Sequence, residues 1–204
     1  MAYQYDIFIS YRREIMTRNW LEIHFIPLIK HYVSLEIGSH PAIFIDTQIE
    51  YGTDWPITLG HAISKSKTII PLWTKTYMES KWCACEIQHM LNREREFGFR
   101  TNENPGGLVF PTIYHDGETM PVHLSTIQKI EIQDCANPKM SVDSAKAEIL
   151  AEKLSPLGKA IAKAIGSAPE WQDNWQIEAV NEFKAQLDNN HQAFQSSPPK
   201  FQNQ

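Results

Sequence analysis

Hydrophobic positions along this chain fall into two patterns that take turns. Short apolar, β-prone blocks occupy residues 5–10, 43–46, 68–73, 108–114 and 127–132. Blocks of this length, rich in Ile, Val and Phe, read as strands buried in a sheet. Pro71 in the third block suggests a strand end or edge, because proline donates no ladder hydrogen bond. Between the blocks, apolar residues recur at helical spacing. Trp20, Ile23, Phe25, Leu28, Ile29, Tyr32 and Val33 form one stripe, in which Pro27 predicts a kink or a restart. Asp54 and Pro56 open a second helix, as N-cap and first-turn proline. A third helix is predicted over residues 82–97, with Arg93-Glu94-Arg95-Glu96 as its solvated end. A fourth covers residues 143–165, striped by Leu150, Leu154, Leu157 and Ile161 and interrupted at Pro156.

Strands that alternate with helices predict an α/β fold: a flavodoxin-like three-layer sandwich, its five-stranded parallel sheet covered by helices on both faces. Ligands of such folds sit beyond the carboxyl ends of the strands. That places Ser10-Tyr11-Arg12-Arg13, the loop after Asp46 and the approach to Glu86 on one rim, although they are far apart in sequence. The pattern assigns residues 3–166 to one domain. Residues 167–204 read as an appendage: a Pro/Trp connector, a short amphipathic helix over residues 176–187, and a Gln/Asn/Ser/Pro tail expected to be disordered.

Composition narrows the function classes. A formal charge of -5 argues against a nucleic-acid partner, which usually requires a basic face. No apolar run approaches the ~20 residues that span a bilayer. The first residues lack the basic and apolar regions of a signal peptide. A cytoplasmic protein without a membrane partner is therefore expected. Cys83, Cys85 and Cys135 are three cysteines, an odd number without ligand-pair spacing, so they read as buried thiols rather than disulfides or a metal site. The eight histidines show no metal-like pairing.

Glu86 has unusual neighbours in Lys81-Trp82-Cys83-Ala84-Cys85-Glu86. On a helix, Trp82, Cys83 and Glu86 share a face. A carboxylate beside indole and thiol, shielded from water, is in the setting that perturbs acids for chemistry. The alternative is an ordinary first-turn glutamate favoured by the helix dipole.

The chain resembles a Toll/interleukin-1 receptor (TIR) domain of the bacterial kind. Tyr5 to Arg13 looks like the first box of that family. Ile43-Phe44-Ile45-Asp46 and Ile49-Glu50-Tyr51-Gly52 look like its second strand and BB loop. Leu59, Ala62, Ile63 and Ser66 match the helix that follows. Tyr77, Ser80, Trp82, Cys83 and Glu86 match the segment that carries the catalytic glutamate in enzymatic members.

The resemblance implies cleavage of the nicotinamide–ribose bond of NAD+, giving ADP-ribose or a cyclic isomer of it. NAD+ is then substrate, and no cofactor or metal is required. It makes Glu86 the catalytic carboxylate and places Tyr11, Arg12 and Arg13 by the dinucleotide. It also implies TIR–TIR self-association, a role in anti-phage defence, and in some members a separate effector that senses the nucleotide product. Other TIR domains are scaffolds without catalysis, for which an exposed polar BB loop over residues 47–53 would suffice. Several side chains have two readings. Arg12 and Arg13 suit a pyrophosphate, or one of them pairs with Glu14 or Glu50. Ser10 bonds substrate or closes its own turn. Asp46 binds ribose or caps the BB loop. Trp55 offers a ring to a base, and Phe8 reads more simply as core. Trp82 and Cys83 line the pocket or pack beneath their helix. Glu50 is an accessory acid or a solvated charge.

Overall fold

The computed structural model describes residues 2–46 and 54–195. The strands are β1 (Tyr5–Tyr11), β2 (Ile43–Phe44), β3 (Ser66–Trp73), β4 (Thr112–Ile113) and β5 (Ile130–Glu131). They form one parallel sheet in the order β2-β1-β3-β4-β5, the flavodoxin-like order with its crossing point between β1 and β3. β1 and β3 form the long central ladder, in register from Tyr5 opposite Ser66 to Tyr11 opposite Leu72.

Two differences from the sequence pattern have backbone causes. The fourth apolar block contributes a ladder of only Thr112–Ile113, preceded by a bridge between Ile69 and Val109. Pro111 lies between the two and has no N–H to donate. Pro71, by contrast, sits inside β3 opposite Ser10. Ile69 and Trp73 direct their bonds to the β4 side, so Pro71 between them withholds a donor from that side alone, and the Phe110 carbonyl there accepts from Thr112 Oγ1 at 3.3 Å.

The helices are α1 (Ile15–Trp20), α2 (Ile26–Ile37), α3 (Trp55–Ser64), α4 (Lys81–Glu96), α5 (Val122–Ser125), α6 (Ala145–Ser167) and α7 (Asp173–Gln195). A π-helical turn at Leu21–Phe25 joins α1 to α2, so Pro27 falls in the first turn of a restarted helix. Asp54 caps α3, accepting a bond from Ile57 N at 3.2 Å. Pro156 does not interrupt α6 as the pattern suggested: the helix runs through it.

The pleat divides the core. Ile7, Ile9 and Leu72 pack with α1, the π-helical turn, α2 and α6 through Trp20, Phe25, Ile29, Leu150 and Leu154. Phe8 and Ile69 face the opposite layer, where Leu59, Ile63, Ile87 and Met90 of α3 and α4 meet them. Ser10 is two residues beyond Phe8 and shares its face. This register aims the Ser10 hydroxyl at α4.

The expected solvated end of α4 is wrong at two positions: Arg93 is 1% exposed and Glu94 2%. Arg93 donates to Ser66 O at 2.6 Å and Ser64 O at 3.0 Å. Its guanidinium lies 3.9 Å from the ring centroid of Trp175 on α7. Glu94 accepts from Arg100 Nε at 2.6 Å and Val109 N at 2.9 Å, which ties α4 to the approach to β4. A charge run reads as solvated unless distant partners take up its polar groups, and for the two buried residues they take up all but the Arg93 Nε.

The appendage differs as well. α7 continues past residue 187 to Gln195 and packs on α3 and α4, burying Trp175, Ala179 and Phe183. Gly60 allows the close approach: a Cβ there would meet the Val180 backbone at 3.0 Å. The expected BB loop over residues 47–53, with Glu50, and the tail beyond residue 195 lie outside the described residues.

Candidate active site

Ser80 caps α4, accepting from Cys83 N at 3.4 Å. The cap fixes the start of the helix and so the phase of its inward stripe, Cys83, Glu86, Met90 and Arg93. Glu86 is thereby turned toward the carboxyl end of β1. Its side chain is 5% exposed and lies at the floor of a cleft of about 280 Å³.

Around Glu86 the cleft has two walls. The first is aromatic: Trp55 at the start of α3 meets Trp82 of α4 edge to face, with ring centroids 4.8 Å apart and planes at 88°. The second is polar. Asp46, just past β2, accepts a bond from Tyr11 Oη at 2.8 Å and pairs with Arg13 Nε. Arg13 also lies over the Trp55 ring, 5.0 Å from its centroid, so it links the walls. Arg12 stands at the exposed rim, 2.9 Å from Glu79.

Of the residues expected from sequence, Tyr11, Arg12, Arg13, Asp46, Trp55, Trp82, Cys83 and Glu86 all line this cleft. Ser10 does not. It is 1% exposed and lies behind Glu86, bonded to Glu86 Oε2 and to the Tyr77 hydroxyl. It therefore neither reaches a ligand in the cleft nor closes its own turn. Neither arginine pairs with Glu14, which instead caps α1 through Met16 N at 3.0 Å. Phe8 is core, stacked on Phe44.

Three contributors were not read from the pattern as site residues. Tyr77 buttresses Ser10, Glu79 holds Arg12, and Phe183 on α7 stacks behind Trp82 at 5.7 Å. Their partners are too distant in sequence for periodicity to report them.

Burial dominates the electrostatics. It pushes the Glu86 carboxyl from 4.5 up to about 8; the Ser10 bond opposes the shift, Asp46 adds to it, and Arg13 opposes it. Burial, with the Glu86 charge second, drives the Cys83 thiol far above the ordinary cysteine range, which removes it as a nucleophile at neutral pH. Tyr11 and Tyr77 are likewise held protonated, chiefly by burial. The cleft thus offers one titratable acid at its floor, cations at its rim and an apolar wall. Among the described residues, no group of three or more His, Cys, Asp or Glu side chains is placed to hold a metal ion.

Comparison with known proteins places the chain. The sequence model of a family described as "TIR domain" matches residues 7–144. Disease resistance protein RPS6 of Arabidopsis thaliana is 24% identical over 157 residues; the match takes in 76% of this chain but only 12% of that protein's length. Among solved structures, the TIR domain of the Toll-related receptor TRR-2 from Hydra magnipapillata aligns with a TM-score of 0.46 at 17% identity, covering 64% of this chain and 86% of its own. The TIR domains of the activated Roq1 resistosome, which directly recognises the pathogen effector XopQ, align with a TM-score of 0.37 at 18% identity, covering 91% of this chain and 99% of theirs.

Proposed function

Because this chain belongs to the TIR-domain family, we propose that it is an NAD+ nucleosidase that cleaves the nicotinamide–ribose bond with Glu86 as catalytic carboxylate. The observation that carries the reading is the buried Glu86 at the floor of a cleft with an aromatic wall and an arginine rim.

The chemistry suits such a site. Nicotinamide leaves a cationic precursor as a neutral base, so it needs no proton from the enzyme. Positive charge develops on the ribose, as in glycoside cleavage. An ionised carboxylate in a weakly screening pocket stabilises that charge more than it would in water. Glu86 supplies it. Trp55 and Trp82 exclude water and offer faces to the leaving ring, while Arg12 and Arg13 meet the pyrophosphate. Water attack gives ADP-ribose, nicotinamide and a proton; attack by an adenine nitrogen of the same molecule gives a cyclic isomer, nicotinamide and a proton.

The cleft is at the lower end of the ~300–1,000 Å³ typical of small-molecule sites. It suits the nicotinamide ribose half and leaves the rest of the dinucleotide at the rim. Self-association through TIR–TIR contacts is part of this reading, since a second copy would cover what the rim leaves open. So is a defence role, anti-phage as in the bacterial members the boxes resemble, with the nucleotide product passed to a separate effector.

The test is chromatography of NAD+ incubated with concentrated protein, wild type beside Glu86→Ala. Loss of the carboxylate is expected to slow nicotinamide release by ~10²–10⁴. Equal release by both proteins removes Glu86 from the mechanism. No release by wild-type protein at any concentration removes the activity.

A further inference from the structure

The Glu86 carboxylate is held from behind by side chains that never reach the cleft. Ser10 comes from the end of β1, Tyr77 from the 3₁₀ turn Tyr77–Glu79, and Glu86 from α4. Ser10 Oγ bonds to both Glu86 Oε2 and Tyr77 Oη, and Tyr77 is 0% exposed. The Tyr77 ring is fixed in turn against Trp73 of β3, with centroids 5.2 Å apart.

Proton counting gives this chain a direction. An ionised carboxylate only accepts, so Ser10 must donate to Glu86. Ser10 has one proton, so it must accept from Tyr77. With Glu86 ionised, both hydroxyls therefore point toward the carboxylate. With Glu86 protonated the chain can reverse, and the Tyr77 hydroxyl is left with Cys83 sulfur, a weak acceptor, as its neighbour.

We propose that Tyr77, acting through Ser10, is a positioning residue that favours the ionised form of the Glu86 carboxylate against its burial and turns one oxygen toward the cleft. The inference rests on the nucleosidase reading for its kinetic consequence but not for its electrostatic one. A donor relay in a dry site favours the charged form of its terminal acceptor. It also fixes the carboxylate rotamer, because Oε2 is occupied and the other oxygen is the one left for substrate. The other charged or titratable groups facing Glu86 are Asp46 beyond β2, Arg13 beyond β1 and Cys83 on its own helix. They stay in place when the Tyr77 hydroxyl is removed.

The experiment uses the full chain, with Tyr77→Phe, Ser10→Ala and Ser10→Thr beside wild type. Tyr77→Phe keeps the ring against Trp73 and loses only the hydroxyl. Glu86 is titrated by carbon NMR of ¹³C-labelled glutamate carboxyls and assigned by its absence in Glu86→Gln. The Glu86 midpoint is expected to rise by about one pH unit in Tyr77→Phe and by more in Ser10→Ala, with Ser10→Thr restoring it. In the NAD+ assay the acid limb of the pH profile moves up by the same amount. That lowers kcat at pH 7 about tenfold and leaves KM unchanged. An unshifted Glu86 midpoint in folded Tyr77→Phe overturns the proposal. If wild type proves inactive on NAD+, the nucleosidase reading fails, and the NMR titration still decides whether the relay holds.

Discussion

Phe183 of α7 stacks on Trp82 of α4, their rings 5.7 Å apart and inclined by 23°. Trp82 in turn meets Trp55 edge to face, and both rings line the cleft together with Asp46. α7, which lies beyond the family match at residues 7–144, thus braces the aromatic wall of the candidate active site. Phe183→Ala removes a fully buried ring, and truncations of this kind cost about 3–5 kcal/mol. The expected result is a lower melting temperature and a raised KM for NAD+, since Trp82 loses its backing. A normal KM in the folded variant would show that the brace does not reach the site.

The raised pKa of Glu86 sets the pH dependence. In the proposed nucleosidase mechanism only the ionised form stabilises the ribose cation, and burial raises the pKa of this carboxyl to about 8. kcat/KM is therefore expected to climb from pH 6 to pH 9 with an inflection near 8. A profile already flat at pH 6 would contradict this environment for the carboxyl.

Stability runs the other way. The folded state prefers neutral Glu86, because its pKa lies above the unfolded value of 4.5. The stability this confers is complete below the unfolded value and is lost as pH rises through about 8. Glu86→Gln lacks that loss. Its melting temperature should gain on wild type as pH increases from 6 to 9, which paired thermal scans can measure.

Asp46 and Arg13 act on Glu86 with opposite signs: Asp46 raises its pKa and Arg13 lowers it. Asp46→Asn should move the acid limb of the rate profile down in pH, and Arg13→Ala should move it up. The Arg13 effect will be the smaller and the more salt-sensitive, because its side chain is 55% exposed. Shifts in the same direction would mean that the pair acts only by shaping the cleft.

The Arg93–Trp175 contact tests structure apart from chemistry. Arg93 meets the carbonyls of Ser64 and Ser66 at the start of β3, whereas Glu86 faces the far end of the strands. Trp175→Ala strips the ring from a buried guanidinium and should destabilise by about 3–5 kcal/mol in denaturant titration. Turnover at 25 °C by the folded fraction is expected to stay near wild type.

The sequence by itself determined the layers of this protein. Period-2 and period-3.6 patterns identify the strands and helices in order, because burial on a sheet face or a helix stripe is a local constraint. They also brought β1, Asp46 and Glu86 to one rim, since parallel strands with helical crossovers put their carboxyl ends together. The odd neighbours of Glu86 marked it as a candidate. Tertiary structure decided what periodicity does not encode: which partners satisfy a polar group. Arg93 and Glu94 read as solvent-facing charges until Trp175 and the backbone near Val109 cover them. Ser10 read as a ligand group or a turn, and its place behind Glu86 depends on Tyr77, 67 residues away. A hydrogen bond is directional and short-ranged, so its partner is chosen only when the layers have packed.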